Sequence, residues 1–215
     1  LAREVLKSRD YELLELLYGP PPFILSQLIR TAFIPTKGCR LIVSDFSAIE
    51  ARVVAWLADE KWVLDVFRSH GKIYEATAAN MFKVPIETIV KGHPNYELRA
   101  KGKVATLACG YQGGPKALIA MGALESGIPE EELPKLVQQW REANPNIVQL
   151  WYDAEEAAMS AVRQKTTVKL AKGVRYRYES GILFADLPSG RSLAYVRPKI
   201  EPDPQFGKDG LTYYG

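Results

Sequence analysis

Two groups of side chains in this sequence could do chemistry. The first is the run Asp45-Phe46-Ser47-Ala48-Ile49-Glu50-Ala51-Arg52. It follows Cys39-Arg40-Leu41-Ile42-Val43-Ser44, a short apolar and partly β-branched stretch after Gly38 that reads as a buried strand. A carboxylate at the carboxyl end of a core strand is held rigidly at an open edge. Mg²⁺ favours such a fixed oxygen beside substrate phosphates, so Asp45 is a candidate metal ligand. The competing reading is that Asp45 caps a turn. Ser47 and Glu50 form Ser-x-x-Glu ahead of an apolar helix, the pattern of a capping box.

The second group is a ladder. Arg99, Lys103, Leu107 and Tyr111 stand four residues apart. On an α-helix they make one slowly turning stripe about 18 Å long. Arg grips phosphate with two parallel hydrogen bonds and Lys adds a point charge, so the early turns suit an anion. The apolar and aromatic steps suit a flat sugar-base. The blander reading is an amphipathic helix whose apolar stripe is core. Gly102 inside this helix costs about 1 kcal/mol relative to Ala, and its use is close approach of something to the backbone. Gly110-Tyr111-Gln112-Gly113-Gly114 ends the ladder with permissive backbone, suited to a mobile joint.

Other chemistries lack their residues. Gly71-Lys72 and Gly102-Lys103 are without the rest of a phosphate loop. The sequence holds no His-Glu-x-x-His, Gly-x-Ser-x-Gly or strand-borne Gly-x-Gly-x-x-Gly. Cys39 and Cys109 are too few for a disulfide framework or a four-cysteine zinc site. They read as small apolar residues in a reducing compartment.

The 215 residues suffice for one large domain or two small ones, with 47% apolar and 25% charged residues. No apolar run reaches the roughly 18 residues of a membrane span. Leu1 stands first instead of Met, and no signal peptide is visible, so the ends read as cut edges of a longer protein. The net charge of +3 is unevenly spread. Residues 61–119 carry a balance of +5, residues 125–156 a balance of −6, and residues 163–199 a balance of +7. Such blocks suit a protein that faces a polyanion on selected surfaces, or equally one with ordinary solvated helix faces.

The elements that must hold these groups follow from periodicity and punctuation. A helix is expected over 1–18, stopped by Gly19 and three prolines, with a short one near Ser26–Ala32. Helical segments are then expected at 49–57, 61–68, 73–82, 94–109, 115–125, 129–142 and 145–164. Pro85, Pro94, Pro115, Pro129 and Pro145 sit at or near starts. After Thr166, runs at 166–171, 174–179, 182–187 and 192–197 alternate with glycine turns and read as a meander of hairpins. One strand, a helical block and antiparallel strands predict an α+β fold, the helical block forming its own subdomain over a small sheet.

Taken together the two groups are specific. Asp45–Arg52 resembles motif A of the A-family DNA polymerases, the DNA polymerase I family, and the Arg99–Tyr111 ladder resembles motif B, that family's fingers helix. Ile73–Ala79 and Phe82-x-Val84-Pro85 are similar to the segment joining those motifs, and Leu25–Pro35 to the approach to the palm strand. Ala55-Trp56-Leu57 and Gly102–Ala105 are most like the phage-type branch. The resemblance covers roughly residues 25–200.

The resemblance implies a predominantly helical fingers subdomain inserted in a partial antiparallel palm sheet. Residues 1–37 would be a helical lead-in and 38–60 the palm strand and helix carrying motif A. Residues 61–164 would be the fingers, and 165–215 palm hairpins cut before motif C. It implies two Mg²⁺ ions, with Asp45 and the Phe46 carbonyl as ligands. Glu50 would be the gate against a ribose 2′-hydroxyl, with Arg52 supporting that region. Arg99 and Lys103 would hold the triphosphate, Lys103 also protonating the pyrophosphate leaving group. Leu107 would lie against the deoxyribose and Tyr111 near the template base, with Tyr74 a weaker phosphate contact. Leu107 departs from the family's usual aromatic residue, Gln112 from its usual Gly, and Tyr74 from the His of many relatives. No His-Asp-Glu motif C occurs. The implied partners are primer–template DNA and a deoxynucleoside triphosphate, without a membrane. The implied setting is the cytoplasm of a bacterial or phage-infected cell. The parent would be a DNA-directed DNA polymerase, a nucleotidyltransferase, and this portion alone inactive. The alternative is a non-catalytic nucleotide- or DNA-binding module retaining the ladder.

Overall fold

The computed structural model describes residues 2–202 and 207–214. Leu1, residues 203–206 and Gly215 lie outside the described residues. The chain divides into two compact units, Leu1–Ser47 and Ala48–Gly215.

The first unit holds α1 (Ala2–Ser8), α2 (Tyr11–Tyr18) and α3 (Pro21–Leu28), followed by a 3₁₀ turn at Ile29–Ala32. The single helix expected over 1–18 is broken. Arg9 adopts φ 61°, and the Asp10 carboxylate accepts the Leu13 N–H at 2.9 Å, which starts a new helix. The proline run stops α2 and then founds α3, because a proline in the first turn forfeits no intrahelical hydrogen bond. The strand expected at Cys39–Asp45 is not formed. Leu41, Ile42 and Val43 are 55%, 80% and 90% exposed, and none of these residues joins a ladder. A strand exists through its neighbours, and no segment among the described residues pairs with this one.

In the second unit every expected helix forms, though the one expected at 115–125 stops at Ala120 and the one expected at 129–142 starts at Leu133, after a 3₁₀ turn at Glu130–Glu132. These helices are α4 (Ile49–Ala58), α5 (Lys61–Ser69), α6 (Ile73–Phe82), α7 (Leu98–Cys109), α8 (Pro115–Ala120), α9 (Leu133–Ala143) and α10 (Pro145–Gln164). α4 is capped by Ala48, in the left-handed region, one residue later than the Ser47 cap that the sequence suggests. The 94–97 stretch is 3₁₀ rather than the first turn of α7. Among the described residues, no helix is long and apolar enough to cross a membrane.

Helices α6 to α10 share one core, built from Met81, Val104, Leu118, Leu136, Trp140 and Ile147. Gly102 is where α6 and α7 meet. A Cβ there would collide with the Tyr74 carbonyl oxygen and come within 2.9 Å of the Ala78 Cβ. The close approach expected at Gly102 is therefore made by α6. Buried Glu60 accepts the Asn146 N–H at 2.9 Å, which anchors the start of α10 beside α5. Its carboxyl group is pushed above the usual range by burial, opposed by hydrogen bonds from the α10 backbone.

The hairpin meander is confirmed and extended. β1 (Thr167–Lys169), β2 (Arg175–Glu179), β3 (Ile182–Asp186), β4 (Ser192–Pro202) and β5 (Asp209–Tyr214) form one antiparallel sheet in sequence order. β5 was not expected from the sequence. It pairs with Val196 and with Lys199–Pro202 of β4, across an irregularity between Val196 and Lys199. That irregularity takes up Arg197 at φ 49° and the missing N–H of Pro198. One face of the sheet packs Val168, Tyr176, Leu183, Tyr195 and Leu211 against Ala158 and Ala161 of α10. On the other face Asp186 accepts from Ser192 at 2.6 Å, Arg175 at 2.7 Å and Arg177 at 3.0 Å. These bonds, led by Ser192 and Arg175, hold its carboxyl group down to about 2. The α+β class is as expected, with helices followed by an antiparallel sheet.

Two outcomes follow. Gly102→Ala should destabilise the chain by about 1–3 kcal/mol in urea unfolding, because α6 and α7 must separate to admit a methyl group. The Asp186 group has its folded value below its ordinary 3.8, so its contribution is complete above that pH and disappears as pH falls toward about 2. Asp186→Asn should flatten that acid limb of stability, measured by urea unfolding across the window.

Candidate nucleotide site

The ladder is built on α7 and splits cleanly from its core face. Gly102, Val104, Ala105, Ala108 and Cys109 are buried against the neighbouring helices, while Lys103 and Leu107 face solvent. Leu107 is 38% exposed and Tyr111 64% exposed, so the apolar end of the stripe is not core. Tyr111 lies past the last turn of α7, not on it. Arg99, half-buried, donates through Nε to Glu75 of α6 at 2.7 Å. Its guanidinium also sits 5.6 Å from the centre of the Tyr74 ring. The Glu75 bond raises the Arg99 pKa further, so the side chain stays cationic. Thr106 extends the same seam, bonding Thr77 of α6 at 3.1 Å.

The turn after α7 is fastened. Trp151 of α10 donates its Nε1–H to the Gly110 carbonyl at 3.1 Å. That indole stacks on Trp140 with ring centres 5.9 Å apart, and Arg141 lies 5.8 Å from the Trp151 ring centre. At Gly113 a Cβ would strike the Ala108 carbonyl and reach within 2.9 Å of the Ala117 Cβ. Gly110 itself is right-handed, and the positive φ in this turn belongs to Gln112 at 62°. Close packing and a fixed carbonyl thus replace the mobile joint expected for these glycines. The Tyr111 hydroxyl is pushed up by partial desolvation, and secondarily by the Glu50 carboxylate. Glu50 is exposed on the first turn of α4. Arg52, two residues on, stacks 4.1 Å from the centre of the Phe67 ring.

Within this unit the structure brings Tyr74 to Arg99 and Glu50 into the field of Tyr111. Asp45 and Phe46 belong to the first unit, on its exposed segment without regular secondary structure. Among the described residues no group of three or more His, Cys, Asp or Glu is placed to hold a metal ion. Cys109 is buried with its thiol pushed up to about 12 by burial, so it is not a nucleophile at neutral pH. Glu75 and Trp151 escaped the sequence reading. Their partners lie 24 and 41 residues away, and no local spacing signals them.

A profile of DNA polymerase family A matches residues 24–182. The chain belongs to that family. It is 63% identical over 214 residues to a DNA polymerase of Bacillus phage SP02, an alignment covering 100% of this chain and 33% of that protein. DNA polymerase I of Rhizobium leguminosarum is 32% identical over 151 residues, covering 70% of this chain and 14% of the relative. The thermostable DNA polymerase I of Thermus aquaticus is 30% identical over 123 residues, covering 57% and 14%. The chain thus spans about a third or less of the length of these relatives.

The Trp151 bond has a measurable share in fixing the turn. Trp151→Phe keeps a ring for the Trp140 stack and deletes only the N–H. It should cost about 1 kcal/mol or slightly more, since the Gly110 carbonyl loses its partner. Urea unfolding beside Trp151→Ala, which should cost about 3–5 kcal/mol, separates the bond from the packing.

Proposed function

We propose that this chain is the nucleotide-gripping portion of a DNA-directed DNA polymerase, contributing one catalytic carboxylate. The observation that carries the reading is the split of α7, whose back is buried while Lys103 and Leu107 stand on its open side. Arg99, held by Glu75, and Lys103 take the triphosphate, and their charges favour the departing pyrophosphate. Lys103 delivers a proton to that group in this reading. Leu107 rests against the deoxyribose, and Tyr111 sits beside the template base. Glu50 excludes a ribose 2′-hydroxyl, Arg52 braces its helix, and Tyr74 orients Arg99.

In this reading residues 61–164 act as fingers, 38–60 carry motif A, and 165–215 are palm hairpins. Primer–template DNA and a deoxynucleoside triphosphate are the partners, in the cytoplasm of a bacterial or phage-infected cell. Two Mg²⁺ ions, when bound in the complete enzyme, would stabilise the attacking and leaving oxygens of the displacement at the α-phosphate. The donors here are Asp45 and the Phe46 carbonyl. One carboxylate and one carbonyl do not fit a clamp for two ions about 3.5–4 Å apart. The second reading is a non-catalytic nucleotide- or DNA-binding module, which the open, cationic flank of α7 would serve equally.

Titration of Mg²⁺–deoxynucleoside triphosphate should show binding that Arg99→Ala and Lys103→Ala each weaken about tenfold, the loss of one charge-assisted contact. Equal binding by all three proteins would remove the site assignment. In primer extension the chain alone should make no product, and robust magnesium-dependent synthesis would contradict the one-carboxylate reading.

A further inference from the structure

The open face of the sheet carries a basin that the nucleotide ladder does not use. It has a volume of about 400 Å³. Its floor is a straight row across four strands, because the pairing register sets Lys169 opposite Arg175, Arg175 opposite Asp186, and Asp186 opposite Ser192. Arg177, two residues along β2, is on the same face, its guanidinium 4.1 Å from the Phe184 ring centre. The backbone of Gly173 and Gly190 forms part of the rim.

The charges in this basin are unbalanced. Three cations, Lys169, Arg175 and Arg177, line it with one carboxylate, Asp186. Asp186 is already saturated by Ser192 and the Nε atoms of both arginines. Those bonds fix the guanidinium planes while leaving the Arg175 side chain half exposed. Glu179 draws off part of the Arg177 fork from outside the basin. Lys169 is exposed and directly opposite Arg175, and like charges facing each other across a ladder destabilise it. A sheet that keeps such a pair, with its single carboxylate used to aim the arginines, is arranged to receive an anion. Planar, bidentate donors match phosphate oxygens.

We propose that this basin is a binding subsite for a backbone phosphate of nucleic acid, with Lys169 and Arg175 as its principal contacts. The inference rests on the polymerase reading only for the choice of nucleic acid over free phosphate. The concave shape, the glycine rim and the absence of an exposed stacking ring on the Lys169–Ser192 row suit a sugar-phosphate strand passing over the sheet. Base edges are not read there, so affinity is independent of sequence.

Fluorescence anisotropy of a short labelled primer–template duplex tests this, with the whole chain and a range of salt. Lys169→Gln breaks no ion pair of the described residues. It should weaken binding about three- to tenfold at about 0.1 M salt and lower the salt slope by about 0.9, the release of one counterion. Lys169→Gln with Arg175→Gln should lower the slope about twice as much. Lys135→Gln, on α9, should match the parent, and Mg²⁺–deoxynucleoside triphosphate affinity should be unchanged in Lys169→Gln. That last readout separates this subsite from the Arg99–Lys103 assignment. A parent chain that binds no duplex, or one whose affinity and slope survive Lys169→Gln, overturns the proposal. So does calorimetric binding of inorganic phosphate that Lys169→Gln abolishes while duplex affinity stays the same, since that would mark a free-phosphate site.

Discussion

Everything in the proposed nucleotide site depends on how closely α6 and α7 approach at Gly102. The missing side chain lets the Tyr74 carbonyl and Ala78 press against the α7 backbone. At that spacing the short Thr106 and Thr77 hydroxyls meet at 3.1 Å, and Arg99 reaches Glu75 at 2.7 Å. A larger residue would push α6 away and lose both contacts. Arg99 would then swing freely, and ordering it on a ligand would cost up to about 2 kcal/mol of side-chain entropy. The glycine thus exchanges helix propensity for a pre-aimed cation.

The other end of α7 is fixed by a different device. Trp151 comes from α10, the longest helix, which also backs the sheet through Ala158 and Ala161. One helix therefore fastens the turn bearing Tyr111 and supports the strands bearing Arg175 and Arg177. The cations fall on two separate supports, a helix flank and a sheet face, while acidic side chains in contact with them act as orienting partners. Glu75 and Asp186 play the same part, each holding an arginine by Nε. The charge imbalance along the sequence becomes meaningful only when these acids are subtracted from it.

Much of this was legible before the structure. Helices α5 to α10 follow apolar periodicity and proline starts, and β1 to β4 follow the glycine turns, because both signals are local. The spacing of Arg99, Lys103 and Leu107 was legible as positions on one helix, with Tyr111 falling past its end. What was missed is non-local. Cys39–Asp45 has strand composition, but a strand also needs a ladder partner, and the described residues supply none. β5 was hidden because its pairing depends on the irregularity between Val196 and Lys199. Gly113 read as flexibility, yet it serves packing against Ala108 and Ala117. The Glu75 and Trp151 contacts cross from one helix to another, and no spacing rule connects them to Arg99 or Gly110.

The central claim is that the open side of α7 receives the nucleotide. Photocrosslinking with an azide-bearing deoxynucleoside triphosphate, followed by mass spectrometry of the peptides, reads this contact directly. Label should concentrate on the segment from Leu98 to Gly114, at Lys103 or Tyr111, and unlabelled deoxynucleoside triphosphate should suppress it. Label confined to other segments, or label on α7 that the unmodified nucleotide fails to displace, would contradict the claim.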